Sequence, residues 1–159
     1  MEPLKVIKNE EYLAVALDIL SQARHRVDIC TYKFELSARP DARGLNSLVR
    51  ILYSLANNKV LVRVLLNTTG RRSGLARINE NAGRVLKKHG LEVRTLPDGR
   101  CQHAKILIVD GCLGIIGSHN WSPKSMTDNF EVSVVFYGAQ YLVRIQEHFE
   151  KIWEGSRKL

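Results

Sequence analysis

The stretch His103 to Asn120, HAKILIVDGCLGIIGSHN, leaves the chain few ways to fold. An apolar run from Ile106 to Val109 ends at Asp110-Gly111, a turn signal, and a second apolar run through Ile115 and Ile116 ends at Gly117-Ser118. The pattern predicts two short strands with polar groups at their ends. Their short connection favours antiparallel pairing, which lays the start of one strand beside the end of the other. Extended backbone alternates side chains between faces, so His103 and Lys105 point the same way. A nucleophile and an anion clamp are thereby expected to meet Ser118 and Asn120.

Written out, the pattern is H-x-K-x4-D-x6-G-S-x-N, carried by His103, Lys105, Asp110, Gly117, Ser118 and Asn120. It resembles the HKD signature of the phospholipase D superfamily, and residues fixed at this many positions are far more specific than a lone glycine pattern. The resemblance extends to Glu131, at the start of a later apolar strand, where members of that family carry a glutamate that orients the catalytic histidine. It implies a phospholipase D-like α/β/α sandwich.

The chain's own periodicity leads to a similar architecture. Leu4 to Ile7 reads as a strand. Asn9 is expected to cap a helix running to about Arg24, with Tyr12, Leu13, Ala16, Leu17 and Leu20 on one face. Val27 to Phe34 is a strand rich in β-branched and aromatic residues, and Leu36 to Ala42, with its proline, a loop. A helix over Leu45, Leu48, Val49, Leu52 and Leu55 stops near Asn57-Asn58. Lys59 to Leu66 is a nearly continuous apolar strand of the kind buried on both faces. Ile78 to His89 is a helix ended by Gly90, and Leu91 to Leu96 a strand. Pro97 to Arg100 turns the chain into the motif. Beyond it come an irregular polar segment from Trp121 to Asn129, a strand from Glu131 to Phe136 and a closing amphipathic helix from Gln140 to Trp153. The order predicts an α/β domain over residues 1–159, with a mixed, largely parallel sheet and helices on both faces.

Phosphodiester attack by imidazole needs an unprotonated ring nitrogen, a group holding the other nitrogen, donors for the phosphoryl oxygens and an acid for the leaving oxygen. An ordinary imidazole, with a pKa of about 6.5, meets the first need near neutral pH. His103 is the candidate nucleophile and Glu131 its orienter. Lys105 and Asn120 are expected to donate to the phosphate, with a further bond from Ser118. Asp110, at the end of the first strand, fits a turn-fixing role better than substrate contact. In the resembled family two motifs come together, one histidine forming a phosphohistidine while the other protonates the leaving group. This chain holds one copy, so a homodimer with both His103 side chains facing one phosphate is expected. His119, at the motif's unspecified position, reads as structural. Cys101, His103, Cys112 and His119 have spacing too tight for usual zinc ligation, so neither metal nor other cofactor is expected.

Charge narrows the substrate. The formal net charge is +8, and residues 67–105 hold nine Lys and Arg against three Asp and Glu. That surplus flanks the motif and would attract a polyanion. Arg71 and Arg72 lie in a glycine-bearing loop after an apolar strand, with Arg77 close behind. There, at the carboxyl end of a parallel strand, open α/β sheets place ligand sites, so Arg71 or Arg72 is expected on nucleic-acid backbone. Three cysteines cannot all pair within one chain, which fits reduced thiols and a cytoplasmic setting. No apolar run approaches the roughly 20 residues that span a bilayer. The resemblance then implies a metal-independent nuclease of the small single-motif type acting on DNA or RNA. A phospholipase or phosphatidyltransferase and an inert nucleic-acid-binding module are the alternatives.

Overall fold

In the computed structural model, which describes residues 3–38, 40–69, 73–96 and 100–159, the chain forms an eight-stranded sheet. In chain order the elements are β1 (Leu4–Lys8), α1 (Glu11–Ser21), β2 (Arg26–Thr31), α2 (Arg43–Asn57), β3 (Leu61–Leu66), α3 (Gly74–Lys88) and β4 (Glu92–Thr95). β5 (Ile106–Val109), β6 (Leu113–Gly117), α4 (Pro123–Thr127), β7 (Val132–Tyr137), α5 (Ala139–Glu154) and β8 (Arg157–Lys158) follow. Across the sheet the strands run β1-β7-β6-β5-β2-β3-β4-β8.

Alternation along the strands builds two cores. Val27 and Ile29 of β2, Val62 and Val64 of β3, Leu107 and Val109 of β5 and Val135 of β7 point to one face. There they pack with Tyr12, Ala16, Ile19 and Leu20 of α1, Leu45, Leu48 and Leu52 of α2, and Ala82 and Leu86 of α3. The intervening residues Cys30, Leu65, Ile106 and Ile108 point the other way, onto Leu142, Phe149 and Trp153 of α5. Helices on both faces are as expected: α1, α2, α3 and, through Met126, α4 pack on one side and α5 on the other.

The sheet is mixed, but among the described strands only β2–β3 and β3–β4 pair parallel, so it is not largely parallel. The reason lies in the connections. β5 enters antiparallel to β2 and leads straight into the β5–β6–β7 meander, while β1 closes the far edge antiparallel to β7 instead of joining β2. β3 also carries a charge through its centre. Arg63 is buried, its Nε donates to Asp28 at 2.6 Å, and its two terminal nitrogens grip Glu150 of α5 at 2.9 and 2.7 Å. A buried guanidinium is tolerable only when paired in this way, and the pairing ties α5 to the sheet.

Local boundaries shift for identifiable reasons. α3 starts four residues earlier than the periodicity suggests because Ser73 caps it, accepting from the Ala76 amide at 3.1 Å, which puts Arg77 in the first turn. Asn9 does not cap α1. It adopts φ 47°, and its Oδ1 accepts from the Glu131 amide at 2.9 Å, pinning β1 to the start of β7. The segment after the motif is not irregular throughout: Pro123 at a helix start nucleates α4, and Trp121 is buried against Phe34.

Candidate active site

The β5–β6 hairpin places the motif. Ile106 pairs with Ile116, and the Gly117 amide donates to the Lys105 carbonyl at 3.3 Å, so the entry to β5 lies beside the exit of β6. At the opposite end, Asp110 and Gly111 take φ 51° and 68° in the turn from Val109 to Cys112, whose amide donates to the Val109 carbonyl at 3.1 Å. β7 completes the site, because Gly117 pairs with Ser133 and sets Glu131 against the exit of β6. A Cβ at Gly117 would run into Ser133, so only glycine lets the two strands approach this closely.

His103 is exposed and its ring leans on Tyr32, with centroids 4.5 Å apart. The Lys105 ammonium donates to the His103 carbonyl at 2.6 Å, lies 3.0 Å from its Nδ1, and sits 5.4 Å from the centre of the Tyr32 ring. The same ammonium lies 3.4 Å from Nε2, and, having no lone pair, it can meet either ring nitrogen only as a donor. Burial pushes the Lys105 pKa below its ordinary value, against the opposing pull of Glu131. Its charge is thus partly stripped of water, the condition in which it gains most from an anionic partner.

Glu131 is held by three donors. Ser118 Oγ donates to its Oε2, while Ser125 Oγ at 2.9 Å and Asn129 Nδ2 at 3.0 Å donate to its Oε1. Partial burial alone would raise its pKa, but these donors outweigh that and hold it below the usual carboxylate value. Glu131 therefore stands as a fixed anion near Lys105. In this arrangement its hydrogen bonds run to Ser118, Ser125 and Asn129, and its link to the His103–Lys105 pair is through charge. Asn120 is fixed by the Lys33 amide, which donates to its Oδ1 at 3.1 Å, so its Nδ2 is the end that can donate to a ligand.

His103, Lys105, Ser118, Asn120 and Glu131 are thus gathered at one end of β5, β6 and β7. Asp110 is not among them. It lies at the other end of β5, where its carboxylate accepts from the backbone amides of Arg24, His25 and Arg26 at 2.7, 2.9 and 2.7 Å. His119 is 1% exposed. Its Nδ1 meets Ser133 Oγ at 2.7 Å, its Nε2 meets the Asn9 carbonyl at 3.0 Å, and Tyr12 stacks on it at 4.5 Å. Cys101 and Cys112 lie at opposite ends of β5, and among the described residues no three His, Cys, Asp or Glu side chains converge as a metal site. Arg71 and Arg72 lie outside the described residues.

Several supporting residues escaped the sequence. Tyr32 forms the shelf under His103 and Lys105. Asn79, wholly buried in α3, donates to the Tyr32 and Asn67 carbonyls at 2.8 and 2.6 Å and accepts from the Phe34 amide at 2.8 Å. Its signal was available: an asparagine on the apolar stripe of a helix must satisfy its amide inside the protein. Ser125 and Asn9, which fix Glu131, carry no comparable signal.

Known proteins resemble this chain in sequence and in fold. A family model described as cardiolipin synthase, PLD-like domain, matches residues 16–153. The mitochondrial cardiolipin hydrolases of Mus musculus and Homo sapiens are each 28% identical over 152 residues, which is 96% of this chain. The chain spans 62% of the mouse protein and 55% of the human one. In fold it is similar to Nuc of Salmonella typhimurium, a phospholipase D family member, with a TM-score of 0.79 at 21% identity over 98% of this chain and 97% of that one. It is similar also to NucT of Helicobacter pylori, with a TM-score of 0.76 at 18% identity over 98% of each. No described helix is long and apolar enough to cross a membrane.

Proposed function

This chain belongs to the phospholipase D superfamily, and from that premise we propose that it is a metal-independent endonuclease cleaving DNA or RNA, its site completed across a homodimer. The observation that carries this reading is the convergence of His103, Lys105, Asn120, Ser118 and Glu131 at the β5–β6–β7 end. The basic surplus over residues 67–105, which runs into that end, supports a polyanionic substrate, as does the likeness in fold to Nuc and NucT.

In this reading the substrate phosphate draws the Lys105 ammonium off His103 and takes a second donor from Asn120. A ring nitrogen of His103 then attacks phosphorus. The phosphorus–nitrogen bond forms as the phosphorus–oxygen bond to the leaving strand breaks, and the leaving oxygen takes a proton from His103 of the second copy. Water, giving its proton to that same second histidine, then displaces the phosphoryl group from nitrogen, releasing a phosphate monoester and free imidazole. Glu131 offsets the standing charge of Lys105 and the positive charge that builds on the ring, and Ser118 and Ser125 keep it in place.

The test is cleavage of a labelled single-stranded oligonucleotide in excess EDTA, beside His103→Ala. Cleavage that survives EDTA and vanishes in the variant is the expected result; cleavage that needs a divalent ion, or persists without the imidazole, overturns the mechanism. A lipid phosphodiester is the second reading, favoured by the cardiolipin hydrolase relatives and by the description of the matching family model. Release of phosphatidic acid from anionic phospholipid, with the oligonucleotide untouched, would establish it instead.

A further inference from the structure

The catalytic histidine candidate forms part of a second feature that the chemistry above does not use. Among the described residues, a cavity of about 640 Å³ has His103 in its wall and extends from it along α5. That volume falls within the range of sites that bind small organic ligands. Its apolar lining comes from Leu96, Ala104 and Ile152, and its charge from Arg100 and Lys151, with the His148 ring beside them. Among the described residues no carboxylate lines it, in contrast to the neighbouring depression on α5, which is bordered by Glu147, Glu150 and Glu154.

The wall on the motif side is fixed. Thr69 Oγ1 donates to the Arg100 carbonyl at 2.6 Å and the Gln102 amide donates to Asn67 Oδ1 at 3.1 Å. The Gln102 side chain, itself buried, donates to the Ala104 carbonyl and accepts from the Ala104 amide at 2.7 and 2.9 Å. On the other side His148 and Lys151 stand one turn apart on α5, so both reach the same groove.

A phosphodiester held at His103 has two arms, and one of them must leave along a surface that begins at that residue. We infer that this groove is a nucleotide subsite: it takes the nucleotide adjoining the scissile bond, with base and sugar on Ile152 and Leu96 and the neighbouring phosphate between Arg100 and Lys151. The inference rests on the endonuclease reading and deepens it. Two cationic side chains beside apolar ones match a chain of alternating phosphates and flat rings, whereas an acyl chain meets charge where it needs an apolar lining.

The experiment compares two trinucleotides in the native protein and in the Arg100→Ala/Lys151→Ala double variant. In the first both linkages are ordinary phosphodiesters; in the second the linkage beside the scored one is a neutral methylphosphonate, and cleavage is read only at the linkage the two substrates share. The native protein should prefer the charged neighbour by about tenfold in kcat/KM, chiefly through KM, and the double variant should lose that preference. The slope of log affinity against log salt should also flatten by about 0.7 for the lost single-strand contact. Equal use of both substrates by the native protein, or a preference intact in the variant, overturns the subsite. Failure of the native protein to cut either trinucleotide, or a longer oligonucleotide, sinks the endonuclease reading, which is a different result. The comparison within native protein needs no substitution, and both substituted side chains are exposed.

Discussion

Asn79 holds Tyr32 from beneath: its Nδ2 donates to the Tyr32 carbonyl at 2.8 Å while its Oδ1 accepts from the Phe34 amide at 2.8 Å. The same Nδ2 donates to the Asn67 carbonyl at 2.6 Å, so one buried amide fastens the segment after β2 to the segment after β3. Asn79→Leu keeps the volume and leaves these backbone groups unmet in the interior. The expected loss is about 2–4 kcal/mol in urea denaturation, since each stranded buried group costs roughly 1–3 kcal/mol. Activity should fall further than stability predicts, because the Tyr32 shelf moves with the loop. A variant as stable as the native protein would show that water or neighbouring groups replace the amide.

Tyr32 itself can be dissected by paired substitution. The His103 ring rests on it, and the Lys105 ammonium sits 5.4 Å from its centre. Ring packing and cation–π attraction of this kind are worth about 0.5–1.5 kcal/mol, which corresponds to roughly threefold to tenfold in rate. Tyr32→Phe preserves the ring and should stay within about threefold of native kcat. Tyr32→Ala should fall by about tenfold or more, with a smaller change in KM. Equal activity for both variants would remove Tyr32 from the account.

What the sequence made readable depended on how far each interaction reaches along the chain. The β5–β6 hairpin was legible because its strands, turn and polar ends all lie within His103 to Asn120, and each local rule pointed to the same pairing. Asn9 was misread as a helix cap because its actual partner, the Glu131 amide, is 122 residues away, and nothing local distinguishes the two uses of a short amide side chain. The place of β1 was hidden for a similar reason: alternation from Leu4 to Lys8 fits any sheet edge, and only the β5–β6–β7 meander leaves its outer edge free to receive it. A reading based on βαβ units expects parallel neighbours, and it failed where β5 entered antiparallel to β2 and where β1 joined β7. Asn79 lay between these cases, since a polar residue on an apolar stripe announces a buried hydrogen bond without naming its partner.

Asp110 sits at the far end of β5 from the reacting groups, so its substitution should register in stability before chemistry. Burial by itself would raise its pKa, but the amides of Arg26, Arg24 and His25 outweigh that and hold it below the ordinary carboxylate value. A carboxylate with a depressed folded pKa stabilises the protein above its unfolded pKa of about 3.9, and that contribution disappears as pH falls through the lower folded value. Asp110→Ala should therefore cost about 2 kcal/mol at pH 7, from charge-assisted bonds lost at the turn. The gap between native and variant should narrow progressively below about pH 4. Urea midpoints measured from pH 7 down to pH 3 check both statements, and a gap independent of pH would mean that the carboxylate is not what holds Arg24 to Arg26.

The need for two histidines at one phosphate makes a quantitative prediction about mixtures. Only one HKD motif is present in this chain, and within it His119 is locked away from solvent by Ser133, Asn9 and Tyr12, so it is not placed to act as the leaving-group acid. In the proposed homodimer a second His103 from another copy supplies that acid, and on that proposal each active pair requires two intact chains. When native protein and His103→Ala are unfolded together, mixed and refolded, pairs form at random. The native fraction enters once for each member, so activity per total protein should follow its square and bend below a straight line. If a single chain were sufficient, activity would instead be proportional to the native fraction, and the two curves differ most near equal mixing. Sedimentation at assay concentration supplies the matching check, because a monomer that turns over at the native rate would leave the second imidazole without a source.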